Sequence, residues 1–203
     1  MTDPLSILQR IREAPARPRP GERCEMCGEP VPDDHEHVVN TERRSLMCTC
    51  RGCWLLFTSS GAGGGKYVAV PDRYMALDEL SLDRAAWDEL QIPVSVAFFF
   101  HSSALGAVAA FYPSPAGATE SQLPLDAWER IAADDEVLQT METDVEALLV
   151  RRDDTHAEAY LVPIDACYEL VGELRRLWKG FDGGTEAREA TDAFFERLRE
   201  RTR

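Results

Sequence analysis

Five of the six cysteines and two of the four histidines fall between Cys24 and Cys53, in the run CEMCGEPVPDDHEHVVNTERRSLMCTCRGC. Thiols and imidazoles crowded in this way are the donor set of a late transition metal. The spacing is C-x2-C, then twenty residues, then C-x-C-x2-C. Two C-x2-C pairs about this far apart are the pattern of zinc ribbons and rubredoxins. Such a turn lets two thiolates converge on one ion while backbone N–H groups point at the sulfurs, and a glycine relieves its left-handed position. Gly28 follows Cys27 and Gly52 lies between Cys50 and Cys53, so both turns are expected to be metal knuckles.

A structural zinc takes four ligands, and this segment offers seven: Cys24, Cys27, His35, His37, Cys48, Cys50 and Cys53. The first assignment is Cys24, Cys27, Cys50 and Cys53, because each pair chelates locally. Cys48 and Cys50 stand two apart and face the same side if the chain is extended. Cys48 is therefore a candidate to replace one ligand, or to form a second, less complete site with His35 and His37. The equal alternative is that the two histidines are solvated side chains in an acidic loop, Asp33 to His37. Four thiolates hold zinc or a single iron equally well. Zinc, the favoured cofactor, would be structural; iron would make a one-electron carrier. The surplus thiols also admit a transient iron-sulfur cluster or a disulfide.

Other chemistry-bearing residues carry less. Cys167 lies on the apolar stripe of a helix and reads as core. His101, Ser102 and Ser103 lack any nucleophile-elbow pattern and suit a hairpin turn. His156 reads as surface. The run Ser59 to Lys66 misses the phosphate-loop pattern, having Ser60 and Tyr67 where Gly and Ser/Thr are required, and reads as a linker or wide turn. The stretch from Pro113 to Ser121 reads as a loop. No catalytic constellation emerges, so an enzyme is not expected.

The elements that must position these residues follow from hydrophobic periodicity. Residues 1–20 suggest a short amphipathic helix from Asp3 and Pro4, carrying Leu5, Ile7, Leu8 and Ile11, and then a Pro-rich tether. Residues 21–60 form the Cys-rich module, and residues 61–203 an acidic domain. Short strands are expected at Tyr67 to Val70 and Tyr74 to Leu77 about a Pro71-Asp72-Arg73 turn, then a helix capped by Ser81. Core strands at Ile92 to Phe100 and Gly106 to Tyr112 follow, then a helix near Leu125 to Ala133 and strands near Val145 to Val150 and Ala157 to Val162. Helices at Ile164 to Lys179 and Thr185 to Arg201 end the chain. The fold class expected is α+β: a small zinc-ribbon or rubredoxin-like module, then a mixed domain with a mainly antiparallel sheet.

The formal net charge is −14. Residues 1–60 hold 8 Lys+Arg against 9 Asp+Glu, leaving 14 against 27 for residues 61–203. So acidic a surface repels phosphate backbones and anionic lipid, which argues against nucleic-acid or membrane-surface binding. No apolar run approaches the roughly 20 residues that span a bilayer, and the first residues do not resemble a secretory signal. A cytoplasmic location is expected, where clustered thiols serve as ligands rather than disulfides.

The runs CEMCGEP, HEH and CTCRGCWLLF, the GAGGGKY turn, AFFF, AAFYPSPAGATES and LVPIDACYELVG together resemble a bacterial family of about this length, catalogued as a domain of unknown function. The resemblance extends over nearly the whole chain. It implies membership of a group commonly encoded beside high-affinity nickel-iron uptake hydrogenases and a NifU-like protein. On that basis the expected function is a metal-binding accessory protein supporting assembly or maturation of a nickel-iron hydrogenase. Its expected partners are hydrogenase subunits or their maturation proteins. A rubredoxin-like electron-transfer protein is the alternative. A thiol oxidoreductase using Cys48 with Cys50 or Cys53 is a third reading.

Overall fold

The computed structural model describes residues 23–77, 84–90, 92–121, 128, 136–153, 156–180 and 183–202. The expected helix and tether of residues 1–20, the Ser81 cap and, apart from Trp128, the helix near 125–133 lie outside them.

The chain is α+β, with two antiparallel sheets and C-terminal helices. The smaller sheet consists of β1 (Glu36–Asn40), β2 (Ser45–Thr49) and β3 (Tyr67–Ala69), in the order β2-β1-β3. A turn from Asn40 to Ser45 joins β1 and β2; in it the Asn40 side chain, 2% exposed, accepts the Arg43 N–H at 3.0 Å. Helix α1 (Arg51–Leu55) follows β2. The glycine run then wraps as a short 3-10 segment with Gly61, Gly63, Gly64 and Gly65 all at positive φ, so the expected wide turn is present. Room is short at Gly63 alone of these four, where a Cβ would lie 3.0 Å from the Phe57 ring, which packs on Tyr67.

The larger sheet contains β4 (Met75–Ala76), β5 (Val96–Ser102), β6 (Ala107–Ser114), β7 (Gly117–Ser121), β8 (Glu146–Arg152) and β9 (Ala157–Pro163), in the order β4-β9-β8-β5-β6-β7. Its central strands are buried on both faces. Phe98 and Phe100 join one core with Leu149, Tyr160 and Val162, whereas Ala97 and Phe99 join the other with Leu148 and Leu161. That double covering is why Ala97 to Phe100 reads as an unbroken apolar run rather than an alternating one.

Helices α2 (Arg84–Glu89) and α3 (Glu136–Gln139) precede α4 (Ile164–Leu177) and α5 (Gly184–Arg201). The first face is covered by α4 and α5, through Ile164, Cys167, Leu170, Val171 and Leu174 of the former and Ala187, Ala190, Phe194, Phe195 and Leu198 of the latter. The second is covered by Trp87, Leu90, Trp128, Leu138 and Met141. Val39 and Val70, at the smaller sheet, belong to the first core, so the Cys-rich region leans on the helical side.

Two local expectations are corrected. The stretch from Pro113 to Ser121 is a hairpin: β6 runs through Ser114 and pairs with β7, Pro113 opposite Ala118. Proline is tolerated there because the pairing of β5 with β6 ends at Phe111, so its missing N–H breaks no bond on that side. Pro71 to Arg73 is not a turn between paired strands but an irregular segment joining the two sheets, since β3 pairs with β1 and β4 with β9. Arg73, within that segment, reaches the fully buried Glu146, donating from Nε to Oε1 at 2.7 Å and from a terminal nitrogen to Oε2 at 2.5 Å. The Glu142 N–H also donates to Glu146 Oε2, at 2.8 Å.

Candidate metal centre

The first half of the centre is a knuckle. The Gly28 N–H donates to the Cys24 carbonyl at 2.8 Å and the Cys24 N–H to that of Glu29 at 2.7 Å, beside a bridge between Arg23 and Pro30. Gly28 holds φ +78°, a conformation that costs an L-residue about 1 kcal/mol or more. Glu25 fastens this turn to β2. Its N–H donates to the Cys48 carbonyl at 2.9 Å and its carboxylate accepts the Cys48 N–H at 2.6 Å.

The second half differs from expectation. Cys50 is the extended residue preceding α1, with φ −75° and ψ 158°, and Cys53 lies within the helix; the Trp54 N–H donates to the Cys50 carbonyl at 3.0 Å. Gly52 is helical and not among the residues at positive φ. Helix rather than a left-handed turn brings these two thiols onto one side.

Together the halves place one sulfur each from Cys24, Cys27, Cys50 and Cys53 within 4.8 Å of one another. The sulfurs of Cys27 and Cys50 are 3.7 Å apart. A tetrahedral ion with bonds of about 2.3 Å to sulfur spaces its ligands by about 3.8 Å, so the donor set fits a zinc or iron ion. All six cysteines are free thiols.

Electrostatics also favour a cation. Burial acts to raise the Cys24 thiol, but hydrogen bonds from the backbone of Cys50, Cys27 and Met26 outweigh it and hold it at about 6. Cys53 is pushed up to about 12 by burial and by the adjoining thiols of Cys27, Cys24 and Cys50. Cys27 is raised by Cys24 and Cys50, in spite of a hydrogen bond from the Glu29 backbone. One sulfur takes negative charge readily and its neighbours then resist a second. A bound divalent ion removes that resistance.

Cys48 does not enter this set. One donor atom each from His35, His37 and Cys48 gathers separately within 4.8 Å, so Cys48 and Cys50, two apart, serve different groups. His37 and Cys48 are directly opposite in the pairing of β1 with β2. The two imidazole rings lie 4.8 Å apart, on one side as extended chain requires. Of the two readings of these histidines, solvated side chains or donors of a second group, their half-burial and their convergence with Cys48 favour the second. His35 Nδ1 lies 2.8 Å from the Pro32 carbonyl, and His37 Nδ1 lies 2.9 Å from Asp165 Oδ2 at the start of α4. Asp165 carried no sequence signal, standing 128 residues from its partner.

The remaining candidates stand apart from both donor groups. Cys167 is fully buried, and burial raises its thiol well above the ordinary value. The expected hairpin of β5 and β6 is present, but His101 and Ser102 lie in β5, paired with Val108 and Ala107, rather than in the turn. His156 is exposed. Among the described residues no helix is long and apolar enough to cross a membrane.

No curated protein and no solved structure matches the chain. A family profile does, over residues 23–202, which include every residue of both donor groups. The chain therefore belongs to the family of unknown function DUF5947.

Proposed function

We propose that this chain is a metal-binding accessory protein in which Cys24, Cys27, Cys50 and Cys53 hold one zinc ion, and that it supports assembly or maturation of a nickel-iron hydrogenase through protein contacts. The observation carrying the metal reading is the convergence of four free thiols within 4.8 Å. Zinc bound there would have four protein ligands and no open position, and would cross-link the knuckle to α1. The hydrogenase role rests on the resemblance drawn from the sequence. Leu55 and Leu56, 53% and 66% exposed at the end of α1, offer an apolar contact beside the centre. The acidic remainder of the chain suits a basic partner surface. The proposed location is the cytoplasm, and no catalytic role is assigned.

Metal analysis and the visible spectrum of protein purified without oxygen or added metal test the first part. One colourless zinc at the four-cysteine centre is expected; coloured iron that bleaches reversibly on reduction would instead establish the rubredoxin-like reading. The second part is tested by deleting the gene and assaying the hydrogenase. Reduced activity with incomplete nickel or iron-sulfur content is expected, restored by the wild-type chain. Full activity and metal content in the deletion strain would refute it.

A further inference from the structure

We infer that His35, His37 and Cys48 form a second metal site, distinct from the four-cysteine centre, which takes a late first-row divalent transition ion through three protein ligands and leaves a coordination position open to a groove. This goes beyond the proposed function and does not depend on the hydrogenase role.

The tautomers carry the argument. A carbonyl and a carboxylate only accept, so His35 Nδ1 donates its proton to Pro32 and His37 Nδ1 donates to Asp165. With Nδ1 protonated in each neutral ring, Nε2 presents a lone pair. His35 Nε2 is buried with no hydrogen-bond partner, which is costly for a polar atom unless something occupies the space before it. A proton does not relieve the cost, because it makes a buried unpartnered N–H on a charged ring. A Lewis acid does. The thiol of Cys48 supplies the third donor, within 4.8 Å of the histidine donors.

The supporting contacts are those a metal-bound histidine uses. Its second nitrogen characteristically donates to a carboxylate or backbone carbonyl, which fixes the ring and raises its basicity; here one histidine has each kind. Two nitrogens and one sulfur exclude magnesium and calcium, which require oxygen ligands, and select ions such as zinc, cobalt, nickel or copper. His35 and His37 line a groove of about 850 Å³, whose walls also carry Asp33, Asp34, Glu36 and Asp165. Arg51 and Arg201 line the same groove, but Glu36 pairs with Arg51 and Asp72 with Arg201, so that Asp33 and Asp34 beside the histidines leave it net acidic, which attracts a cation. A fourth position facing this groove admits water or an exchanging ligand, which the four-cysteine centre cannot.

The test uses the full chain stripped of metal, reloaded with excess zinc and freed of unbound ion by gel filtration. The wild type is expected to retain two zinc ions per chain, and His35→Ala and Cys48→Ser one each. Cobalt loading verifies that each variant is folded, since its four-thiolate absorption must persist. Asp165→Asn, which alters a positioning residue, should weaken only the second ion, by about 10–100-fold. A wild type holding one ion, or variants of His35 and Cys48 that keep both with the fold intact, would overturn the site.

Discussion

Cys24 and Cys167 are both buried, at 2% and 0% exposed, yet their surroundings assign them opposite roles. Backbone hydrogen bonds converge on Cys24 and hold its thiol down; apolar side chains surround Cys167 and drive its thiol up. Cys24→Ser and Cys53→Ser are each expected to abolish stable metal binding at the four-cysteine centre, read by metal content after gel filtration. Cys167→Ser should leave that metal in place while lowering stability by about 1–3 kcal/mol, the cost of a hydroxyl without a partner in an apolar core, measured by urea unfolding. Retention of full metal by Cys53→Ser would break the ligand assignment. The four-cysteine cluster was legible in the sequence because C-x2-C is a local chelating pattern, whereas Asp165 was not, because no local pattern marks a residue that meets its histidine across two elements.

The two halves of the centre place their thiols by different backbone means, and their glycines separate them. Gly28→Ala meets no atom within 4 Å but must hold φ +78°, so a loss of about 1 kcal/mol is expected, with weaker metal retention. Gly52→Ala puts its Cβ 3.9 Å from the Cys50 sulfur, ordinary contact in a helical residue, and should be neutral or slightly stabilising. A chelator competition on the two variants measures the contrast; equal losses would contradict the helical second half. The segment before β4 admits a separate test. Arg73→Met strands the Glu146 carboxylate at a fully buried position, and a loss of about 3 kcal/mol is expected. The double variant Arg73→Met with Glu146→Leu should recover much of it, again by urea unfolding.

The smaller sheet does not end where the cysteines do. Its third strand, β3, lies beyond the glycine run and pairs with β1, while Val39 and Val70 share a core with α4 and α5. The contact of His37 with Asp165 adds a polar tie between the same parts. Metal removal is therefore expected to destabilise the whole chain. Calorimetry should show one transition that moves to lower temperature with a chelator. Two separable transitions, with only the first sensitive to the chelator, would mean that the Cys-rich region unfolds alone.

By itself, the sequence determined the α+β class, the two C-terminal helices with their buried stripes, the central strands and the four cysteines that come together. Each of these is written in local spacing: period 3.6 in the helices, apolar runs bounded by turn residues, and paired thiols with two residues between them. Only the tertiary structure decided that Pro113 to Ser121 is a hairpin, because a proline is admissible in β6 just where β5 no longer pairs with it. Only there did Cys48 part from Cys50, since strand register set it opposite His37 while the start of α1 turned Cys50 toward Cys24 and Cys27. Register and packing are relations between distant segments, and no window along the chain contains them.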